Sequence, residues 1–224
     1  GEGGSDSLYG GDGNDVIFGD AGQDVIFGDA GDDTLVDGTD QDYVDGGDGN
    51  DTVVATPDNA ADTLDGGAGI DTLSYAASEQ NVHINIADGE ARGADIGTDT
   101  IKNFETFVGG KGDDTIVTGT NSVTLYGGEG ADTFVITVAG IDASAPVRHM
   151  IEDFEVGDHV RMSIYDIFEE ANPTPDFLDQ MKALANGEAP DNAVPIQFRF
   201  DDVYHKTYIE ADFDQDNIYE AAGE

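Results

Sequence analysis

Aspartate recurs at nine-residue intervals along the first third of this chain, and nearly every copy stands five places after a glycine. The segments 1–9 GEGGSDSLY, 10–18 GGDGNDVIF, 19–27 GDAGQDVIF and 28–36 GDAGDDTLV follow one another without a gap. Each has Gly first, Gly fourth, Asp sixth and an aliphatic residue eighth. A degenerate unit, 37–45 DGTDQDYVD, precedes 46–54 GGDGNDTVV; after the insertion Ala55-Thr56 the period resumes at 57–65 PDNAADTLD and 66–74 GGAGIDTLS. It returns at 109–117 GGKGDDTIV and 127–135 GGEGADTFV, and the unit between them, 118–126 TGTNSVTLY, has Val123 in the aspartate place. Carboxylates so placed do one kind of chemistry well: they hold a cation. Calcium accepts six to eight oxygens and tolerates mixed carboxylate and carbonyl ligands, whereas magnesium keeps a strict octahedron and its waters, and zinc favours nitrogen or sulfur.

The spacing also dictates the elements that position these acids. Glycines at the first and fourth places are expected to allow positive φ in a tight turn. A strand of about three residues follows and buries only its eighth-place side chain. Nine residues then make half a coil, and two units make one turn of a flattened parallel β-helix. Loops of units i and i+2 lie above one another, which pairs Asp6 with Asp24, Asp15 with Asp33, Asp24 with Asp42, Asp33 with Asp51, Asp42 with Asp62, and Asp51 with Asp71. Asp114 with Asp132 forms a further pair in the second block. The pairs through Asp42 and Asp62 rest on weaker pattern. Asp40 replaces the fourth-place glycine of one unit, and 57–65 lacks both glycines.

Composition narrows the function. Lys and Arg total 8 against 49 Asp and Glu, a formal net charge of −41, and no Lys or Arg precedes Arg92. Nucleic acid and anionic membrane surfaces both need a cationic footprint, so neither is an expected partner. No apolar run approaches the ~20 residues of a membrane helix. Cysteine is absent, so no disulfide or thiolate site fixes the fold. No basic region followed by an apolar one opens the chain, and it starts inside a repeat, which points to a piece of something longer.

The GGxGxDxUx pattern resembles the haemolysin-type calcium-binding repeats of RTX proteins. The segment 148–164, RHMIEDFEVGDHVRMSI, is similar to the I-x-D-F-x-x-G-D strand region that follows such repeats. The resemblance implies an all-β, right-handed parallel β-roll of nine-residue repeats with several Ca2+ ions. It further implies a secreted or bacterial cell-surface protein, exported unfolded by type I secretion machinery and folding on extracellular calcium. Without metal, stacked carboxylates over a thin core do not offset a backbone entropy cost of about 1–2 kcal/mol per residue. With a dissociation constant of about 10⁻⁴ M, ~1 mM calcium contributes about 1.4 kcal/mol per site, so roughly seven sites give about 10 kcal/mol.

The chain divides into a first repeat block (1–74), an inserted β segment (75–108), a second block (109–135) and a C-terminal β-rich capping region (136–224). In phase with the second block, Glu105 takes the aspartate place and Phe107 the buried one. Thr174-Pro175-Asp176 reads as a helix start, giving one short helix near 175–186. VPIQFRF and VYHKTYIEA alternate like antiparallel strands. Asp212, Asp214 and Asp216 imitate the start of an EF-hand loop, but its twelfth place is Gly223, which leaves at most an irregular calcium site. His83, His149, His159 and His205 lack metalloprotease spacing, and there is no G-x-S-x-G elbow, so no catalysis is expected within the chain. Two roles compete: a calcium-dependent folding and export module for an upstream effector domain in the same polypeptide, and a structural or adhesive segment of a cell-surface protein. An ice-binding face would need a regular Thr array, and the seventh place runs Ser7, Val16, Val25, Thr34, Tyr43, Thr52.

Overall fold

A computed structural model describes residues 1–137, 149–154, 156–163, 196–201 and 206–211. The short helix expected near 175–186 and the acids Asp212, Asp214 and Asp216 lie outside the described residues. Within them the chain is a parallel β-roll of two sheets, with no helix. Successive repeats alternate between the sheets because each nine-residue unit is half a coil. One sheet runs through Ser7–Asp12, Val25–Ala30, Tyr43–Asp45 and Thr63–Asp65, and the other through Val16–Phe18, Thr34–Val36, Thr52–Val54 and Thr72–Ser74. Pairing joins residue i to i+18, as in Leu8 with Ile26 and Ile17 with Leu35. Across the Ala55-Thr56 insertion the step becomes i+20, as in Val44 with Leu64 and Val53 with Leu73. The two extra residues are absorbed in a turn, and the inward alternation survives.

The core is the eighth-place column of each sheet. Ile26, Leu35, Val44, Val53, Leu64, Leu73, Ile116, Leu125 and Phe134 are fully buried between the sheets. On the outer face of the first sheet the Tyr9 and Phe27 rings stack at 5.2 Å, and Tyr43 leans on Phe27 at 5.9 Å.

The segment after residue 74 is spliced into this stack. Val82–Asn85, Glu90–Gly93 and Gly97–Lys102 form an antiparallel meander in the first sheet. Its last strand pairs in parallel with Thr63–Asp65 and its first with Thr115–Val117. Thr106–Val108 bridges Thr72–Ser74 and Val123–Tyr126 in the second sheet, and Phe107 occupies the buried column. The stack continues through Thr133–Thr137 and His159–Ser163 on one side and His149–Ile151 on the other. There the second sheet ends in an antiparallel pair, Lys206–Ala211 with Ile196–Asp201.

A candidate calcium ladder on the turn edges

Each turn of the roll needs a tight reversal, and the backbone supplies it at the second and fourth places rather than the first. Asp20 and Gly22 carry φ of 69° and 122°, and the same pair of places recurs in every turn of the first block up to Gly47 and Gly49. At Asp40, φ is 78°; aspartate tolerates the left-handed region, so the missing fourth-place glycine leaves the turn intact. The first-place glycine has a different task, which is to leave room. A Cβ on Gly1 would lie 2.5 Å from the Gly19 carbonyl oxygen and 2.6 Å from Asp6 Oδ2. On Gly10 it would lie 2.6 Å from the Gly28 carbonyl and 2.9 Å from Asp15 Oδ2. A peptide carbonyl and a carboxylate oxygen thus face the same small space, turn after turn.

The sixth-place acids form two ladders. On one edge the backbone N–H of Asp6 donates to Asp24 Oδ1 at 2.8 Å, Asp24 to Asp42 at 2.7 Å, and Asp42 to Asp62 at 2.8 Å. On the other edge Asp15 donates to Asp33 at 2.7 Å, Asp33 to Asp51 at 2.8 Å, and Asp51 to Asp71 at 2.8 Å. Asp114 donates to Asp132 at 2.8 Å. Every pair derived from the repeat is therefore in contact. Glu105 closes the second ladder, its Oε2 accepting the Asp71 N–H at 2.9 Å.

Two members of the ladders, and a third acid that holds a turn, escaped the repeat pattern. Asp99 Oδ1 accepts the Asp62 N–H at 3.0 Å across 37 residues of sequence. Its own signal was 94–102 ADIGTDTIK, with Gly97 fourth, Asp99 sixth and Ile101 eighth but no first-place glycine. Asp158, in GDHV, accepts the Asp132 N–H at 2.9 Å. Asp153 clamps the last turn from outside, Oδ1 on Gly127 N–H and Oδ2 on Gly128 N–H at 2.8 and 2.9 Å.

Electrostatics make these ladders incomplete as they stand. The Oδ2 atoms of Asp6, Asp15, Asp24, Asp33, Asp42, Asp51 and Asp71 are buried and accept no hydrogen bond. Burial pushes the carboxyls of Asp42, Asp99 and Asp132 up to about 7, and those of Asp62, Asp71 and Asp114 up to about 6. Neighbouring carboxylates push the same way, against the N–H donors that favour the charged form. Among the described residues no three Asp, Glu, His or Cys side chains gather at one point. A cation here would be held by carboxylates of successive turns together with peptide carbonyls, an all-oxygen mixed set. That donor set and the orphaned oxygens fit calcium.

Comparison with known families agrees with this chemistry. Residues 1–35 match the profile described as RTX calcium-binding nonapeptide repeat, and residues 39–222 match Peptidase M10 serralysin C terminal, which spans more than four-fifths of the chain. The chain belongs to the serralysin C-terminal family of RTX modules. No curated protein matches it at a significant level. Both matched families are non-catalytic modules, and this RTX module is of the calcium-binding kind.

On the first edge a side chain also takes a glycine place. Tyr75 stands in the glycine column, fully buried, and its hydroxyl donates to Asp99 Oδ2 at 2.9 Å. A phenol O–H there gives the carboxylate a partner that needs no metal.

Proposed function

We propose that this RTX module is a calcium-driven folding element that supports the export and stability of a larger secreted protein. The observation that carries the reading is the row of buried, unpartnered Oδ2 atoms facing the glycine cradles. Calcium would be held by Asp6, Asp15, Asp24, Asp33, Asp42, Asp51, Asp62, Asp71, Asp114 and Asp132, with Glu105 and Asp158 at the ladder ends. When bound, it neutralises the stacked acids. The chain's own part is to fix Oδ1 of Asp24, Asp33, Asp42, Asp51 and Asp71 on a backbone N–H and leave Oδ2 free.

At cytosolic calcium the acids have no counter-ion, and the chain stays unfolded and exportable; at extracellular calcium it closes into the roll. The two blocks, with the 75–108 segment between them, fold as one stack that ends in the antiparallel pair Ile196–Asp201 and Lys206–Ala211; much of the capping region lies outside the described residues. No step of catalysis is assigned to this chain, and an effector domain belongs elsewhere in the same polypeptide. X-ray scattering tests the reading. The radius of gyration should fall from about 50 Å in EDTA toward about 20 Å in millimolar calcium, the contrast between an unfolded and a compact chain of this length. An unchanged compact particle in EDTA contradicts it.

A further inference from the structure

The first place of the repeat is reserved for glycine because a side chain would enter the space shared by carbonyl and carboxylate. At residue 37 the chain puts an aspartate there. Asp37 is completely buried. Its Oδ1 accepts the N–H of Gly38 at 2.7 Å and the N–H of Thr56 at 2.8 Å. Thr56 belongs to the two-residue insertion, so the off-pattern acid and the off-pattern spacing meet in adjacent coils. Asp37 Oδ2 is buried and accepts no hydrogen bond. Burial pushes the Asp37 carboxyl well above the usual range, and the Thr56 hydroxyl also acts on it. Nothing in the nonapeptide pattern calls for this group, since the pattern takes only a carbonyl from the first place.

A fully buried carboxylate with an unpartnered oxygen needs neutralising by a proton or by a cation. A proton on Oδ2 would turn it into an O–H donor that needs an acceptor, for which the Thr56 hydroxyl beside the carboxyl is the candidate. A cation would take Oδ2 as it stands, with the all-oxygen chemistry of the rest of this edge. We propose that Asp37 is a calcium ligand through Oδ2, its ion completed by main-chain oxygens of the turns at 37–42 and 55–62. The proposal rests on the calcium reading of the ladders and extends it from the sixth place of the repeat to the first. The two N–H donors fix Oδ1, which leaves Oδ2 as the free ligand. The unit at 57–65 lacks both glycines of the repeat, and Asp37 brings to it a charge the pattern does not provide.

The deciding experiment uses the unaltered chain, crystallised with calcium, and a long-wavelength anomalous difference map. The expected result is a calcium peak within bonding distance of Asp37 Oδ2, about 2.3–2.6 Å. Peaks along the ladders with none at Asp37 would overturn this inference and leave the ladder reading standing. A map with no calcium peak anywhere would overturn both. In solution, Asp37→Asn keeps an oxygen for the two N–H donors and stands in for a protonated acid. Equilibrium dialysis should find one calcium fewer per chain in a variant that still folds at saturating calcium. An unchanged count in a folded variant would mean that Asp37 carries a proton instead. Should the variant not fold, the map of the unaltered chain decides alone.

Discussion

Beyond the antiparallel meander at 82–102, the two edges of the roll part company. On one edge the sixth-place column resumes as Asp114, Asp132 and Asp158. On the other it gives way to Val123 and His149, which pair with each other across adjacent strands. Val123 is buried, and both ring nitrogens of His149 lack hydrogen-bond partners. Burial lowers the His149 imidazole to about 4, so it is neutral at physiological pH. The same sheets therefore stack over a column of acids on one side and over a column of uncharged side chains on the other. Parallel stacking as such does not call for a cation; the residue at the sixth place does. The first place differs too. Gly109 and Gly127 keep the cradle open on the acid edge, whereas fully buried Thr118 fills it on the neutral edge and accepts the Thr137 N–H on Oγ1 at 2.8 Å.

The largest effect is expected on the acid columns. Asp51 belongs to two pairs, so Asp51→Ala should remove two ions and cost about 3 kcal/mol or more at ~1 mM calcium. Calorimetry would register this as a lower calcium count and a higher folding midpoint. On the neutral column, Val123→Asp should cost about 2–3 kcal/mol as a buried charge without a partner and recruit no calcium, because Thr118 occupies the cradle. Adding Thr118→Gly should then gain one calcium per chain, measured by dialysis. A gain from Val123→Asp alone would break the comparison, since the cradle would then be irrelevant.

Protons and calcium compete for the same oxygens. The raised carboxyls, at about 6–7 in the fold against 3.8 otherwise, bind protons more tightly when folded. Their contribution to a metal-free fold is fully present below about pH 4 and is lost as pH rises through 6–7. In EDTA, circular dichroism should thus show more β structure near pH 4 than at pH 8. With calcium, the folding midpoint should move to higher calcium as pH falls from 8 to 5. The smallest effect is expected at Tyr75→Phe, which leaves Asp99 Oδ2 without its donor. A loss of about 1–2 kcal/mol with no change in calcium count would mark it as a metal-free contact.

Most of this was legible in the sequence because the repeat is local. Nine-residue phase places Leu35 in the core and Asp33 over Asp51 without any long-range information. Asp99 and Asp158 stand in recognisable runs, 94–102 and the I-x-D-F-x-x-G-D region, but their place in the ladders was not legible, since it depends on how the meander and the strands after it re-enter the sheets. The role of the first-place glycine was also misread. Positive φ belongs to the second and fourth places, and the first glycine makes room, a steric fact visible only when neighbouring coils are stacked. Separation of alternate repeats onto two faces was likewise hidden by reading the seventh place in chain order: Thr34, Thr52, Thr72, Thr106 and Thr124 line up in consecutive strands of one sheet.

The central claim is that calcium, rather than the strands alone, makes the roll stable. A titration of the chain from EDTA, followed by far-UV circular dichroism with magnesium as control, tests it most directly. A cooperative coil-to-β transition near millimolar calcium, absent with magnesium, is the predicted result. A β spectrum already complete in EDTA at pH 7 would contradict it.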